Sequence, residues 1–158
     1  MKLSHLDQAG RARMVDVGDK PMMDRSAVAM GTIRMSPDAF RQVAEQAIAK
    51  GDVLAVSEVA GTLAAKRTAE LIPLCHPLGL DHVAVEASLT EALPGVRIRA
   101  KVRTVGRTGV EMEALTAVAV ALLTVYDMVK AVEKGVHLEN VRLLEKSGGR
   151  SGTWKRPA

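Results

Sequence analysis

The spacing of hydrophobic and polar residues along the chain predicts a succession of strands and helices. Five stretches have the β-branched content or the alternation of apolar and polar residues that strands show: residues 12–18, 25–35, 81–91, 96–106 and 141–146. The alternation is strictest from Val96 to Arg103, where every second residue is apolar. Pro94 and Gly95 form a turn signal directly before it, so the third and fourth stretches are predicted to pair as a hairpin.

Helical spacing marks three further segments. Ser36 is a predicted N-cap, with Pro37 at the first helical position, and Gly51 is the predicted stop of this helix. Asp52 can cap a second helix, in which apolar residues recur at helical spacing. A third helix is predicted from about residue 109 to residue 134.

The third helix is apolar nearly all round, because only Thr116 and Thr124 are polar between Ala114 and Tyr126. Such a helix needs cover on more than one side, which in a chain of this size indicates a partner subunit. The order of strands, paired helices, hairpin, long helix and final strand predicts an α+β fold. We expect a ferredoxin-like antiparallel sheet with helices packed on one face.

The length of 158 residues, 47% of them hydrophobic, predicts a single domain over residues 1–158, with about residues 1–10 and 147–158 mobile. No run of roughly 18 apolar residues occurs, and the first ten residues lack the apolar core of a signal peptide. We therefore expect no membrane contact and a cytoplasmic location. Cys75 is the single cysteine, which excludes an intrachain disulfide and fits a reducing compartment.

The charge balance favours anionic partners, since 22 Lys and Arg residues stand against 18 Asp and Glu residues. Proteins that hold single-stranded nucleic acid usually stack bases on aromatic rings, and only Phe40, Tyr126 and Trp154 are aromatic here. Small phosphorylated ligands are therefore favoured over RNA. The basic side chains at alternate positions from 97 to 103 could form an RNA platform, but a solvated strand face that pairs with Glu86 is the favoured interpretation.

The segment Leu71–Leu80 places the cysteine beside a histidine between two prolines. Prolines this close to the centre exclude a regular strand and indicate a rigid connection. His76 could serve as hydrogen-bond donor, acid or base, or be a structural histidine. Cys75 is better explained as a small buried hydrophobe than as a nucleophile, and the adjacent pair is a poor metal site.

The long helix carries further candidates at its two ends. Asp127 and Lys130 are three residues apart and share a helix face, so they could act as an acid and base pair or form an ordinary ion pair. At the other end, Glu111 fits a capping box with Thr108. If the chain is still extended at Glu111, this residue and Glu113 would share a face and could instead grip the amino and ring N–H groups of a guanine-like base.

Basic residues at helix ends allow two interpretations. Lys50, Lys66 and Arg67 could each complement a helix C-terminus or contact a phosphate. The stretch from Lys146 to Lys155 is rich in Gly, Ser and basic residues but lacks the order of a P-loop, so a mobile basic tail that can close over a ligand is expected.

Seven motifs together resemble one family over nearly the whole chain: RMVDV, KGDV, AAKRT, LIPLCHPL, TGVEMEALTA, YDMVKAV and LLEKSGGRSG. The chain resembles the molybdenum cofactor biosynthesis protein C family, the cyclic pyranopterin monophosphate synthases. This resemblance implies a lyase that converts cyclised dihydro-GTP to cyclic pyranopterin monophosphate with loss of pyrophosphate. It also implies a ferredoxin-like fold and a hexamer, built as a trimer of dimers, with sites at the dimer interface.

The resemblance also implies roles for particular residues. Asp127, Lys130 and Lys50 match the catalytic aspartate and lysines of the family. The residues expected to bind substrate are Leu74, Cys75, His76, Met112, Glu113, Glu111, Arg25, Lys66 and Lys146. Arg25 is expected to reach the triphosphate across the dimer, and Arg150 stands where some relatives have lysine.

No metal site and no resident cofactor are expected, although Mg2+ could accompany the substrate triphosphate. The alternative from another class is a non-catalytic oligomeric module that binds nucleotides or RNA through the basic strand face.

Overall fold

The chain folds around one antiparallel sheet, seen in a computed structural model that describes residues 9–157. Its strands and helices follow in this order: β1 (Met23–Arg34), α1 (Pro37–Ala44), α2 (Val53–Lys66), α3 (Thr68–Leu71), β2 (His82–Thr90), β3 (Gly95–Gly106), α4 (Glu111–Val129), β4 (His137–Ser147) and β5 (Trp154–Lys155). The strand order across the sheet is β2-β3-β1-β4-β5, and all pairs are antiparallel. The predicted single-domain α+β fold is confirmed, and it is consistent with a ferredoxin-like plan.

The alternation in β3 separates a buried face of the sheet from an exposed one. Val96, Ile98, Ala100 and Val102 are fully buried and join the core, while the basic residues between them are exposed. The hairpin of β2 and β3 forms as predicted. Glu86 lies directly opposite Arg99 in this ladder, which agrees with the favoured interpretation of a solvated, cross-paired face.

Helices α2 and α4 cover the buried face of the sheet. They approach each other closely at Gly61, where a Cβ atom would lie 2.9 Å from the carbonyl oxygen of Ala117. Helix α4 is long and apolar enough to cross a membrane by composition alone, but 56% of its most apolar window is buried inside the fold. It is therefore accounted for as the central core helix of this domain.

Two predicted helix starts are confirmed by their caps. The Ser36 hydroxyl accepts a hydrogen bond from the Ala39 amide at 3.3 Å, and the Asp52 carboxylate accepts one from the Ala55 amide at 3.0 Å. The predicted ends are wrong. Helix α1 ends at residue 44 because Gln46 adopts a positive φ of 54°, and α4 ends at residue 129, ahead of a short turn.

Three further predictions need correction. Residues 12–18 do not form a strand, because Asp16 and Gly18 fold into a local turn and only Ala12 makes an isolated bridge. The capping box of Thr108 and Glu111 is absent: Val110 is the N-cap and has no side-chain cap. The last strand is longer than predicted, and the tail adds β5 to its edge. Residues 1–8 lie outside the described part, and the mobility of both termini stays a prediction.

Candidate active site

A cavity of about 390 Å³ lies where the Cys-His segment meets the start of α4. Six predicted substrate-binding residues line it: Leu74, Cys75, His76, Glu111, Met112 and Glu113. The fold therefore brings together predicted site residues that are about 35 positions apart along the chain. The wall of this cavity is part apolar and part charged, with apolar side chains on both segments and carboxylates at the helix start. The cavity therefore suits a flat ring with polar edges.

The Cys-His segment is fixed by one hydrogen bond to the sheet and by one within the segment. The Thr104 hydroxyl of β3 donates to the carbonyl oxygen of Gly79 at 2.6 Å, and the Cys75 amide donates to the carbonyl oxygen of Ile72 at 3.1 Å. His76 Nε2 lies 2.7 Å from the carbonyl oxygen of Val15. Since a carbonyl can only accept, Nε2 carries the proton of this bond and the ring is fixed in orientation.

The charge state of this cavity is shaped by burial. Glu113 is only 4% exposed, and burial raises the pKa of its carboxyl, with the neighbouring Glu111 charge adding to the effect. Burial also raises the pKa of the Cys75 thiol, and the Glu113 charge raises it further. A thiol with a raised pKa is a poor nucleophile, but Cys75 is half-buried and lines the cavity instead of being enclosed in the core as expected.

A second cavity, of about 430 Å³, adjoins the first and is strongly basic. Both cavities are lined by Lys20, Thr108, Gly109 and Glu111. The basic side chains that line the second cavity are Lys20, Arg25, Arg107, Lys146 and Arg150. Five cations around one cavity form a binding region for a multiply charged anion such as a chain of phosphates.

Arg25 is built into this basic cavity by the backbone around it. Its Nε donates to the carbonyl oxygen of Gly106 at 3.4 Å, and its Nη2 donates to that of Arg107 at 3.3 Å. Gly148 and Gly149 both have positive φ and pass so close to Arg25 that a side chain at Gly149 would overlap its guanidinium. The Gly-Gly turn after β4 is thus required for the position of this arginine.

Asp127, Lys130 and Lys50 form a charged triad at the other end of α4. Lys50 Nζ lies 2.6 Å from one carboxylate oxygen of Asp127, and Lys130 Nζ lies 2.7 Å from the other. Hydrogen bonds from both lysines lower the pKa of Asp127 to about 2, and the bond from Lys130 has the larger effect. The same bond raises the pKa of Lys130. The carboxylate is therefore ionised and Lys130 is a cation at neutral pH.

The triad and the cavities lie far apart within one chain. Fourteen residues separate Glu113 from Asp127 on one continuous helix, which at 1.5 Å per residue is about 21 Å. None of the three triad residues lines either cavity. A ligand of nucleotide size that is bound in the cavities cannot reach the triad of the same chain.

Lys66, a predicted substrate contact, lines neither of the two main cavities. It lines a smaller cavity of about 120 Å³ that shares His76, Leu78 and Glu113 with the first. Conversely, sequence reasoning gave no site role to Val15, Val17, Lys20, Thr108, Gly109 or Arg107, which line one or both of the main cavities. Val15, Val17 and Lys20 belong to or directly follow the RMVDV motif, and the other three lie just before the TGVEMEALTA motif or at its start. Their place in or beside these motifs was the one sign in the sequence that they line the site.

Across the described residues 9–157, no group of three or more His, Cys, Asp and Glu side chains is arranged to hold a metal ion. The positive charge around the second cavity comes from protein side chains.

The fold and the two adjoining cavities define a class of protein: a small α+β ligand-binding protein with a ring-sized compartment next to an anion compartment. Comparison with known proteins narrows this class. The model of the MoaC family matches residues 14–149 of the chain. The chain belongs to the MoaC family.

Three similar proteins share the name cyclic pyranopterin monophosphate synthase. The chain is 59% identical to the cyclic pyranopterin monophosphate synthase of Thermomicrobium roseum over 155 residues, which cover 98% of this chain and 93% of the relative. It is 56% identical to the synthase of Brucella ovis, covering 97% of this chain and 93% of that protein. It is also 56% identical to the synthase of Cereibacter sphaeroides strain KD131, with coverage of 99% and 98%.

Proposed function

We propose that this chain is a cyclic pyranopterin monophosphate synthase, a lyase that converts cyclised dihydro-GTP to cyclic pyranopterin monophosphate and releases pyrophosphate in molybdenum cofactor biosynthesis. The observation that carries the proposal is the pairing of a ring-sized cavity, lined by Glu113, with a cavity lined by five cations. A purine-derived ring with a triphosphate tail has these two parts. The names of the close relatives support the same activity.

Each cavity has its own task in this proposal. Glu113, with its raised pKa, and the segment Leu74–His76 hold the ring, because a buried carboxyl group can pair with ring N–H and amino groups. Arg25, Lys146 and the other cations hold the triphosphate. Mg2+ bound to the triphosphate would enter with the substrate and is compatible with this arrangement.

The triad moves protons in the proposed reaction. Lys130 begins as a cation and can donate a proton, while ionised Asp127 orients both lysines. The three side chains are about half exposed in the single chain. Cover from another subunit would desolvate Lys130 and lower its pKa toward the range in which it can also accept a proton.

The separation of triad and cavities supports an active site shared between subunits, since about 21 Å of helix α4 lies between them. We propose that the triad of one subunit faces the cavities of another within a hexamer, a trimer of dimers. Large apolar side chains exposed on the helix layer support such contacts: Val56, Val59 and Leu63 on α2 and Leu123 on α4. A cytoplasmic location belongs to the same proposal.

The experiment is incubation of the purified protein with enzymatically generated cyclised dihydro-GTP, followed by identification of the pterin product by mass spectrometry. The proposal predicts a product with the mass of cyclic pyranopterin monophosphate. Unchanged substrate after incubation with a folded, oligomeric protein would reject it.

A second candidate, the RNA-binding module, is favoured only by the exposure of four basic side chains on β3: Arg97, Arg99, Lys101 and Arg103. Arg103 already lies 3.6 Å from the Asp24 carboxylate. Salt-sensitive RNA binding that disappears when this face is neutralised, without turnover of the pterin substrate, would favour this candidate.

A further inference from the structure

Glu111 lies at the junction of the two cavities and contributes to the lining of both. Its Oε1 is 3.0 Å from Nζ of Lys146, and the two side chains are 29% and 27% exposed. The carboxylate lies directly over Gly109, where a Cβ atom would overlap Oε2. The chain thus leaves room for this one conformation of Glu111 by omitting a side chain two residues earlier.

The ion pair means that one cation of the basic cavity is occupied by a carboxylate of the protein itself. The carboxylate carries a single charge, whereas a phosphate chain carries several and would also contact Arg25 and the other cations of the same cavity. A phosphate group entering this cavity therefore competes with Glu111 for Lys146. When the phosphate displaces it, the carboxylate loses its cationic partner and is free to accept hydrogen bonds from water or from a ligand in the first cavity.

We propose that Glu111 is an internal substitute for a phosphate group and couples the two halves of the ligand. A phosphate chain binds Lys146 and displaces Glu111, which then turns into the first cavity and accepts hydrogen bonds from the N–H groups of the ring. Each half of the ligand makes room for the other, so phosphate and ring bind cooperatively. The ligand class rests on the proposed function, while the exchange rests on the ion pair and its place between the cavities.

The exchange predicts coupling between two separate probes that do not react. Inorganic tripolyphosphate represents the charged half, and guanosine represents the ring. Isothermal titration of the intact oligomer should show guanosine binding about fivefold or more tightly in saturating tripolyphosphate than in its absence. Tripolyphosphate must gain by the same factor in saturating guanosine, because coupling between two binding sites is reciprocal.

Three variants separate the exchange from a general effect of charge. Glu111→Gln should bring the coupling factor close to one, because the amide neither holds Lys146 as an ion pair nor competes with phosphate. Glu111→Asp keeps the charge but shortens the side chain, and it should also lose most of the coupling. Glu145→Gln removes the neighbouring carboxylate that lies 3.6 Å from Lys155, outside both cavities, and should keep the wild-type factor. Thermal melts establish that each variant is folded.

Independent binding of the two probes to the wild type would overturn the proposal, as would full coupling in Glu111→Asp and Glu111→Gln. The result is distinguishable from failure of the proposed function, because neither probe is turned over. A wild type that releases pyrophosphate from the substrate but binds the probes independently would refute the exchange alone. If neither probe binds, the exchange is refuted and the cavities lose their assigned ligand.

Discussion

Helix α4 separates the charged triad from the substrate cavities, and this predicts that two differently inactivated subunits restore activity when they assemble together. Lys130→Ala removes one lysine of the triad, and Glu113→Gln removes the buried carboxyl of the ring cavity. Each variant alone should lose activity roughly a hundredfold or more, because each removes a group assigned to proton transfer or ring binding. Since about 21 Å of helix lies between the two groups, the proposed site needs the cavities of one chain and the triad of another.

The size of the restoration follows from counting sites. In a dimer with one subunit of each kind, one site combines both defects and the other combines an intact cavity with an intact triad. Random assembly of equal amounts makes about half of the dimers mixed, and half of their sites are intact. Pyrophosphate release should therefore return to about one quarter of the wild-type rate in the unselected mixture, and to about one half in dimers that carry one chain of each kind.

The assay is co-expression of the two variants with different affinity tags, purification through both tags, and measurement of pyrophosphate release. Two wild-type chains carrying the same tags serve as the control for assembly. If activity in verified mixed oligomers equals the sum of the two residual activities, the site lies within one chain and the reasoning from helix length is refuted.

Three other predictions follow from contacts within the fold. The pKa of the Asp127 carboxylate is lowered from 3.8 to about 2, so its ion pairs stabilise the native state above about pH 4 and are lost toward pH 2. The free energy of unfolding of Asp127→Asn should therefore fall less between pH 4 and pH 2 than that of the wild type. An identical pH profile of the two proteins would contradict this. Gly61→Val should destabilise the fold by about 1 to 3 kcal/mol in urea, because a side chain there meets helix α4, whereas Gly135→Val, in open space, serves as the control; equal effects of both would refute the packing argument. Val59→Glu should lower the oligomer mass measured by light scattering, because Val59 is 61% exposed on the helix layer. Leu93→Glu, in the exposed turn between β2 and β3, is the control and should leave the mass unchanged. An unchanged mass in both variants would show that α2 is not part of the interface.

The elements with a repeating pattern could be predicted from the sequence alone. The strict alternation of β3 follows from burial of one face of the strand, and the apolar character of α4 follows from burial of the helix on several sides. Both kinds of burial are directly visible in the spacing of apolar residues. Residues 12–18 have similar β-branched content but lie across the cavity, where Val15 and Val17 face a ligand compartment instead of a strand partner. Local pattern cannot separate these two reasons for half burial.

The candidate site could be predicted only in part because its members come from distant segments. Motif resemblance selected Cys75, His76 and Glu113, which the fold brings to one cavity. The distance between cavities and triad is already implied by the fourteen-residue spacing of Glu113 and Asp127 on one predicted helix, but the lining of the cavities depends on which distant segments the fold brings to the start of α4. Lys66 was assigned to substrate from its place at a helix end and in the AAKRT motif, yet it lines a smaller cavity that shares His76 and Glu113 with the first.

The measurement that tests the central claim most directly is the rate of pyrophosphate release from cyclised dihydro-GTP by the wild type, Lys130→Ala and Asp127→Asn under identical conditions. The account predicts steady release by the wild type, with one pyrophosphate for each cyclic pyranopterin monophosphate formed, and a loss of roughly a hundredfold or more in both variants. Release by the variants at the wild-type rate would contradict the assignment of the triad, and no release by a folded, oligomeric wild type would contradict the proposed activity itself.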